Sequence, residues 1–473
     1  MPRRNVYLLV AAVVISLACY QRRDPAGRYS RTFGHALDEV AEHYIEPVDR
    51  RQLFEAAMSG MMSQLDPYSS FIAPSEYREL EESLEQQFGG IGIQVTIDRD
   101  TKRLTVMSPL FGTPAYEAGV LAGDQILAID GESTDDFEMK DALLRLRGPP
   151  GESVTLTILH KGQTDPVSIT LQRAIIRFDT VLGDSRKQDQ SWDYLLEGPS
   201  GIGYVRITSF SEKTVDELRR ALESLKSAGA RALVIDLRNN PGGLLRSAVE
   251  VSDLFLERGR IVSTQGRAGD VLETYDATPG SILPHVPMVV LVNKYSASAS
   301  EIVAAALQDH QRAIVVGERT WGKGSVQHII PLEGGRSALK LTIASYWRPS
   351  GQNIHRGPND DENQSWGVTP NEGFLVELTP EQAEEMARRR VERDIIRSQT
   401  VPPEQVAEPA AEPLDPQLLL GVEYLEAVLR GERPALVSSG GASRRAGGER
   451  DEMATGPEMT GEGSPSPPSA VAQ

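Results

Sequence analysis

The sequence predicts a multidomain α/β protein with a helical N-terminal region, a β-rich module and an α/β core. Three observations support this prediction. Apolar residues recur at three- and four-residue steps from Thr32 to Gln87, which is typical of helices with one buried face. From Phe88, short runs such as IQVTID and RLTVMSP predict strands. From Ile202, strand-like and helical runs alternate, as they do in layered α/β folds.

Length, charge and cysteine content limit the function. The chain has 473 residues, too many for one compact core, and a formal net charge of −18. No basic run is present to meet phosphate groups, so we do not expect a surface that binds nucleic acid. Cys19 is the only cysteine, which excludes thiolate catalysis and a cysteine metal site in the body of the chain. We expect neither a metal nor another cofactor.

The first 23 residues resemble a targeting segment. Two arginines lie in the first four residues, and the apolar run NVYLLVAAVVISLACY follows them. This pattern predicts a signal peptide or a membrane anchor over residues 1–23, and therefore export to the cell envelope or periplasm. Lipidation at Cys19 is an alternative, although Ser16 stands where an aliphatic residue is usual.

The predicted elements follow one another in a clear order. Residues 28–87 are predicted to be helical, residues 88–173 to form the β-rich module and residues 174–378 the α/β core. Residues 379–430 combine a charged helix, a Pro/Glu linker and a short amphipathic helix. Residues 431–473 contain little that could be buried, so we expect a disordered tail.

The run SASASE, at residues 296–301, follows the apolar strand PMVVLVN and precedes the helical run SEIVAAALQDH. A serine at such a turn could act as a nucleophile, and the free N–H groups of the helix could stabilise an oxyanion. Ordinary helix capping, with Ser300 followed by Glu301, explains the pattern equally well. Neither a GxSxG motif nor the spacing of the histidines indicates a Ser/His/Asp triad.

A lysine is the other candidate base, and the run GKGSVQ contains one. Lys323 would need a neutral amine, which burial beside Trp321 and Val326 could favour. Gln327, four residues further along, could accept a hydrogen bond from this amine if both side chains share one face of a helix or strand. A solvated lysine in a surface turn is the alternative for this motif.

The ordered set DLRNNPGG, SASASE and GKGSVQ resembles the C-terminal processing, or tail-specific, serine peptidases. This resemblance implies that Ser298 is the nucleophile, that Lys323 is the base and that Gln327 assists the base. The separation of 25 positions between Ser298 and Lys323 fits the spacing of the family. The resemblance also implies a peptidase core similar to the ClpP/crotonase-like spiral fold.

The same resemblance assigns an oxyanion hole to backbone N–H groups. A glycine of DLRNNPGG is implied to act together with the N–H of Ala299. We favour Gly243 over Gly242, although the sequence does not separate the two. Glycine lets a backbone N–H approach a substrate carbonyl closely, but the same glycines would also occur in a simple turn.

The β-rich module resembles a PDZ domain in the run GGIGI and in the stretch at residues 115–131. PDZ domains bind a chain terminus as an added strand, with loop N–H groups on its carboxylate. Arg147 is a further candidate for contact with the substrate or with the peptidase core, and a solvated arginine is the alternative. The resemblance implies a carboxylate-binding loop at four residues, Gly90, Ile91, Gly92 and Ile93.

Together these features predict a serine endopeptidase that recognises protein C-terminal tails through its PDZ domain and cleaves by a Ser/Lys dyad through an acyl-enzyme. The expected substrates are proteins with apolar or unfolded tails. Membrane association through the N-terminal segment is expected, and the family also allows a homo-oligomer. The alternatives are a catalytically inactive PDZ adaptor of the cell envelope and a histidine-dependent hydrolase.

The resemblance extends from about Thr32 to Phe374 and departs from the family pattern at two places, YWRPSGQNI and Asn371. Both departures lie outside the nucleophile, base and oxyanion positions.

Overall fold

The computed structural model describes most of the chain, namely residues 12–13, 25–77, 80, 87–98, 100–198, 200–357, 365–395 and 415–432. The predicted leader and the predicted disordered tail lie almost entirely outside these residues. Within the described ranges, no helix is both long enough and apolar enough to cross a membrane. The chain divides into two compact units, the first with residues 1–78 and 327–342, the second with residues 79–326 and 343–473.

The N-terminal segment begins with two helices, as predicted, but a strand at residues 70–72 lies within the range predicted to be helical. Its described elements are α1 (Pro25–His43), α2 (Arg50–Met62) and β1 (Ser70–Ile72). Asp49 caps α2, because its carboxylate accepts hydrogen bonds from the N–H groups of Arg51 and Gln52. In this first unit β1 pairs antiparallel with residues 338–340, and Phe71 packs edge-on against Phe54.

The β-rich module comes next along the chain. It contains β2 (Gln87–Gly90), β3 (Ile93–Ile97), β4 (Leu104–Pro109), α3 (Pro114–Glu117), β5 (Gln125–Ile129), β6 (Glu132–Ser133), α4 (Met139–Leu146), β7 (Ser153–Leu159), β8 (Val167–Gln172) and β9 (Ala174–Arg177). One sheet has the order β3-β4-β5-β7-β8, with β6 on β5, and β2 pairs separately with β9. Its fully buried aliphatic residues include Ile126, Leu156 and Ile158, which pack in one core with Ala142 and Leu146 of α4.

The remaining described helices and strands follow β9 along the chain. They are β10 (Val181–Leu182), β11 (Ser185–Arg186), β12 (Trp192–Asp193), β13 (Ile202–Ile207), α5 (Thr214–Ser227), β14 (Ala232–Asp236), α6 (Leu245–Asp253), β15 (Arg260–Gln265), β16 (Val271–Asp276), β17 (Met288–Val292), α7 (Ala299–Asp309), β18 (Ile314–Gly317), β19 (Ser325–Leu332), β20 (Ser337–Trp347), α8 (Pro380–Asp394) and α9 (Pro416–Leu429).

A sheet with the order β10-β13-β14-β17-β18 forms the centre of the second unit. In this sheet β13, β14, β17 and β18 run parallel to one another, and β10 runs antiparallel to β13. Side chains of β14 alternate between the two faces. Leu233 and Ile235 pack into the cluster that contains residues of α5, α6 and α7, whereas Val234 packs into the cluster that contains Leu425 of α9. Helices therefore cover both faces, which explains the almost uninterrupted apolar strands.

Beside this layer, β15 pairs antiparallel with β16 and with the end of β20 at residues 345–347. β16 is an edge strand whose residues are mostly exposed. Strands β15, β16 and β19 do not appear among the predicted strands, because their sequences lack the continuous apolar runs of β14 and β17. β20 belongs to the first unit up to residue 342 and to the second from residue 343.

Candidate active site

The serine-rich turn joins β17 to α7, as the sequence predicts. α7 begins at Ala299, so the N-cap residue is Ser298 and not Ser300, which lies in the first helical turn. Ser298 has φ 55° and ψ −113°, a backbone conformation that residues other than glycine seldom adopt. Such strain persists only where the surrounding structure holds it in place, and it is common in active sites.

The two other serines of the turn are fully buried and form hydrogen bonds within the protein. The Ser296 hydroxyl donates to the carbonyl of Leu237 at 2.8 Å. The Ser300 hydroxyl donates to the carbonyl of Asn240 at 3.0 Å. Both bonds fasten the turn to the loop that follows β14, so these two serines have structural roles.

The glycine loop lies directly against the serine turn. A Cβ atom on Gly242 would stand 2.8 Å from the Cβ of Ser298 and 3.0 Å from the nitrogen of Ala299, so only glycine fits there. The N–H of Gly242 donates to Asn240 Oδ1 at 2.9 Å. Within the described chain, the N–H groups of Gly243 and Ala299 have no acceptor, and Gly243 is exposed. Both N–H groups are therefore unpaired in the part of the chain that the structure describes, although Ala299, unlike Gly243, is fully buried.

Lys323 lies in the loop between β18 and β19, and its neighbours Gly322 and Gly324 are buried. The strand begins at Ser325, so Lys323 and Gln327 do not share one element and the expected common face does not apply to them. Two backbone hydrogen bonds from later parts of the chain hold this loop. Tyr346 N–H donates to the carbonyl of Gly324 at 2.7 Å, and Arg356 N–H donates to that of Gly322 at 2.8 Å.

The carboxyl group of Glu301 connects the serine turn with the lysine loop. One oxygen accepts hydrogen bonds from the N–H groups of Ser298 and Lys323, both at 2.8 Å. The other accepts from the N–H of Gly322 at 2.6 Å and from the hydroxyl of Thr320 at 2.5 Å. Four donors from two segments, separated by about twenty residues in sequence, thus meet on one side chain.

Glu301 is fully buried, and burial raises its pKa to about 7. The bonds from Thr320, Gly322, Ser298 and Lys323 oppose this rise, because they favour the charged carboxylate. The sequence indicated Glu301 only as a partner of an N-terminal cap. The signal that could have revealed more is a charged residue at the start of an otherwise apolar helix, SEIVAAAL.

Gln327 belongs to the first unit, where it is the third residue of β19. Its amide donates to the hydroxyl of Thr342 at 3.4 Å, and that hydroxyl donates to Asp66 Oδ1 at 3.1 Å. Asp66 also accepts a hydrogen bond from the hydroxyl of Ser69. Burial alone would raise the pKa of Asp66, but these hydrogen bonds and those from backbone N–H groups lower it overall.

Of the four residues predicted for the PDZ loop, Gly90 ends β2 and Ile93 begins β3, and Ile91 and Gly92 connect the two strands. Their carbonyl groups are engaged, because Ala115 N–H donates to Ile91 and Leu110 N–H donates to Gly92. Within the described chain, the N–H groups of Ile91 and Gly92 have no acceptor, as a carboxylate-binding loop requires. Gly92 has φ 79°, and a Cβ there would lie 2.3 Å from the Cβ of Thr113.

Arg147 is half-buried at the end of α4. Its guanidinium lies 4.5 Å from the centre of the Phe88 ring, and this ring lies 5.1 Å from that of Phe178. Phe178 directly follows β9, so Arg147 is connected through Phe88 to the segment that leads from the PDZ-like module into the core. Its Nε atom is buried and has no hydrogen-bond partner among the described residues.

The unusual position of Glu301 predicts a pH-dependent stability. Because its pKa is raised, the Glu301 carboxyl group stays protonated to a higher pH in the folded protein than in the unfolded chain. Its contribution to stability therefore falls as pH rises from about 4.5 to 7. The free energy of unfolding of Glu301→Gln should lie below that of the parent, with a gap that narrows by about 3 kcal/mol over this range. Denaturant unfolding of both proteins at several pH values measures the gap.

Glu117→Gln, at an exposed carboxylate, is the matched control and should show a small, pH-independent gap. A gap for Glu301→Gln that stays constant from pH 4.5 to 7.5 would contradict the assignment of this pH dependence to Glu301.

Comparison with known proteins identifies three regions of the chain. Residues 201–372 match the family described as Peptidase family S41, residues 105–159 match a PDZ domain, and residues 24–75 match the N-terminal domain of the activating protease CtpB. All three matches fall within the part of the chain where the sequence resembled the tail-specific peptidases, apart from a few residues at the N-terminal end.

Three curated relatives cover most of the chain. The carboxy-terminal-processing protease of Bartonella bacilliformis is 41% identical over 342 residues, which are 72% of this chain and 73% of the relative. The corresponding Synechocystis protein is 39% identical over 67% of this chain and 72% of its own length. The Bacillus subtilis protease CtpB is 35% identical over 68% of this chain and 64% of its own length. The chain therefore belongs to the carboxyl-terminal processing proteases, a family of serine-type peptidases, and carries a PDZ domain.

Proposed function

We propose that Ser298 and Lys323 form the catalytic dyad of this peptidase. The observation that supports the proposal most strongly is the bridge formed by Glu301, which accepts hydrogen bonds from the N–H groups of both residues. A nucleophile and a base on separate loops need such a bridge, because a small displacement between them slows the reaction. The exposed lysine alternative is weakened by the buried glycines on both sides of Lys323.

In the proposed reaction, the neutral amine of Lys323 takes the proton of the Ser298 hydroxyl as the oxygen attacks a peptide carbonyl. The N–H groups of Gly243 and Ala299 stabilise the negative oxygen of the tetrahedral intermediate. Gly242 allows the loop to approach the serine closely. The proton passes to the leaving amine, and water then attacks the acyl-enzyme to release the second product. The assisting role of Gln327 stays a prediction.

We further propose that the PDZ domain binds the C-terminal carboxylate of protein substrates with apolar or unfolded tails. The free N–H groups of Ile91 and Gly92 support this, in the loop that runs from Gly90 to Ile93. Arg147 is proposed to respond to the bound tail, because its guanidinium packs on Phe88 of β2, the strand that precedes the predicted loop, and Phe88 in turn packs against Phe178.

The proposal includes export to the cell envelope or periplasm, with membrane association through residues 1–23 and assembly into a homo-oligomer. The basic and apolar pattern of the first residues supports export. It also includes a division into a helical region at 28–87, a PDZ domain at 88–173 and a peptidase core at 174–378. The matches at 105–159 and 201–372 lie inside the last two of these ranges.

Removing either member of the dyad should abolish cleavage. Ser298→Ala loses the nucleophile and Lys323→Ala loses the base, so each should lower kcat at least about a thousandfold. Hydrolysis of a protein with an apolar C-terminal tail, followed by gel electrophoresis and mass spectrometry, measures the loss. Lys294→Ala, at an exposed lysine near the same turn, is the control and should cleave like the parent. Parent-like cleavage by either dyad variant would show that the dyad is wrong.

Recognition of a terminal carboxylate can be tested without changing the enzyme. A tailed substrate with a C-terminal amide should show a KM about tenfold higher than its free-acid form, with kcat nearly unchanged, because the loop N–H groups lose an anionic partner. The inactive Ser298→Ala variant should show the same preference in direct binding. Equal kcat/KM for the acid and the amide would exclude this role for the PDZ loop.

A further inference from the structure

The C-terminal helix α9 lies beyond the matched peptidase range, which ends at residue 372. It is nevertheless part of the second unit's core. Leu425 is fully buried in one cluster with Val234, Leu291 and Val316 of the central strands. A Cβ on Gly421 would lie only 3.1 Å from a methyl group of Val289, so helix and sheet approach closely. The helix has a fixed place on the sheet.

The first turn of α9 carries two polar side chains that contact Arg238. Asp415 is the N-cap residue and accepts a hydrogen bond from the N–H of Leu418 at 3.0 Å. Its carboxylate also binds the Arg238 guanidinium, at 2.8 and 3.0 Å. Gln417 is fully buried, and its amide oxygen accepts from Arg238 at 3.1 Å while its amide nitrogen donates to the carbonyl of Val376.

The other side of the Arg238 guanidinium binds Asp236, the last residue of β14, at 2.7 Å. The hydroxyl of Tyr204 donates to the same carboxylate at 2.7 Å. Arg238 is therefore held between one carboxylate two residues before it and another 177 residues after it in the sequence. A buried charge of this kind needs each of its partners, since removal of one leaves the rest uncompensated.

Arg238 leads directly into the glycine loop. The next residue, Asn239, has φ 58° and exchanges two hydrogen bonds with Asn293, at 3.0 and 2.9 Å. The carbonyl of Asn240 accepts bonds from Ala297 and Ser300 of the serine turn, and its side-chain oxygen accepts the N–H of Gly242. The loop is thus fixed to the serine turn on one side, and at Arg238 it is fixed to α9.

We propose that Asp415 and Gln417 are positioning residues of the peptidase, which hold Arg238 and thereby set the place of the loop that carries Gly243. This inference rests on the proposed function, in which the N–H of Gly243 stabilises the oxyanion. Asp415 and Gln417 contact Arg238, and in this inference they act on the reaction only through Arg238 and its loop. Their loss should therefore change transition-state stabilisation and leave the binding of the substrate tail unchanged.

Asp415→Asn provides the sharpest test, because asparagine caps a helix about as well as aspartate but carries no charge for Arg238. We expect kcat to fall between about tenfold and a hundredfold, with KM changed by less than about twofold. The affinity of a peptide boronate, which mimics the tetrahedral intermediate on serine, should fall in parallel with kcat. Asp415→Glu, which restores the charge, should recover most of the activity.

Glu423→Gln is the matched control, since it removes an exposed carboxylate from the same helix and should leave kcat unchanged. Gln417→Met gives a second test if Asp415→Asn unfolds, and it should lower kcat and boronate affinity in the same manner. Thermal unfolding identifies the folded variants, and assays run well below their midpoints.

Parent-like kcat and boronate affinity in folded Asp415→Asn, with Ser298→Ala inactive, would overturn the positioning role and leave the proposed dyad intact. Cleavage by Ser298→Ala would instead overturn the proposed function itself. A fall in kcat without a fall in boronate affinity would also contradict the inference, because the oxyanion loop would then be unaffected.

Discussion

The arrangement of the site depends on one buried carboxyl group. Glu301 accepts four hydrogen bonds, and these come from the serine turn and from the segment around Lys323. Taking a carboxylate out of water is costly, and the cost is offset only when donors surround it. Burial raises the pKa of this group to about 7. The carboxyl group that joins the two segments therefore changes its protonation state near neutral pH. This raised pKa reflects the free-energy cost of burying the charged carboxylate that joins the two loops.

The glycine loop adds a second constraint of a different kind. Gly242 approaches the serine turn so closely that any side chain would meet Ser298, and the loop can keep this approach only if its own backbone is fixed. Asn240 fixes it internally by accepting a hydrogen bond from the N–H of Gly242, and the amide of Asn293, just after β17, donates to Asn239. The Asp236–Arg238 ion pair fixes its first residues. Backbone N–H groups held in advance need no rearrangement when charge develops, which is the main advantage of a preorganised oxyanion hole.

Much of this architecture could be predicted from the sequence, because β14 and β17 are continuous apolar runs and the helices α5 and α6 have regular apolar faces. The serine turn and the lysine loop were also predictable from their motifs. The edge strand β16 was not, since exposed residues leave no apolar pattern. The contact between Arg238 and Asp415 joins residues 177 positions apart, and the role of Glu301 depends on burial by distant segments. The ion pair leaves no local signal, and the charged residue in the apolar run SEIVAAAL does not indicate which segments Glu301 joins.

The central claim is that Ser298 alone, among the clustered serines, carries the acyl group. Reaction with a slowly deacylating ester substrate, acid quenching and peptide mass spectrometry with fragmentation locate that group directly. The account predicts an adduct on Ser298, formed in the parent and absent in Lys323→Ala, because the base is needed to activate the hydroxyl. An adduct on Ser296 or Ser300, or one that forms equally fast without Lys323, would contradict it.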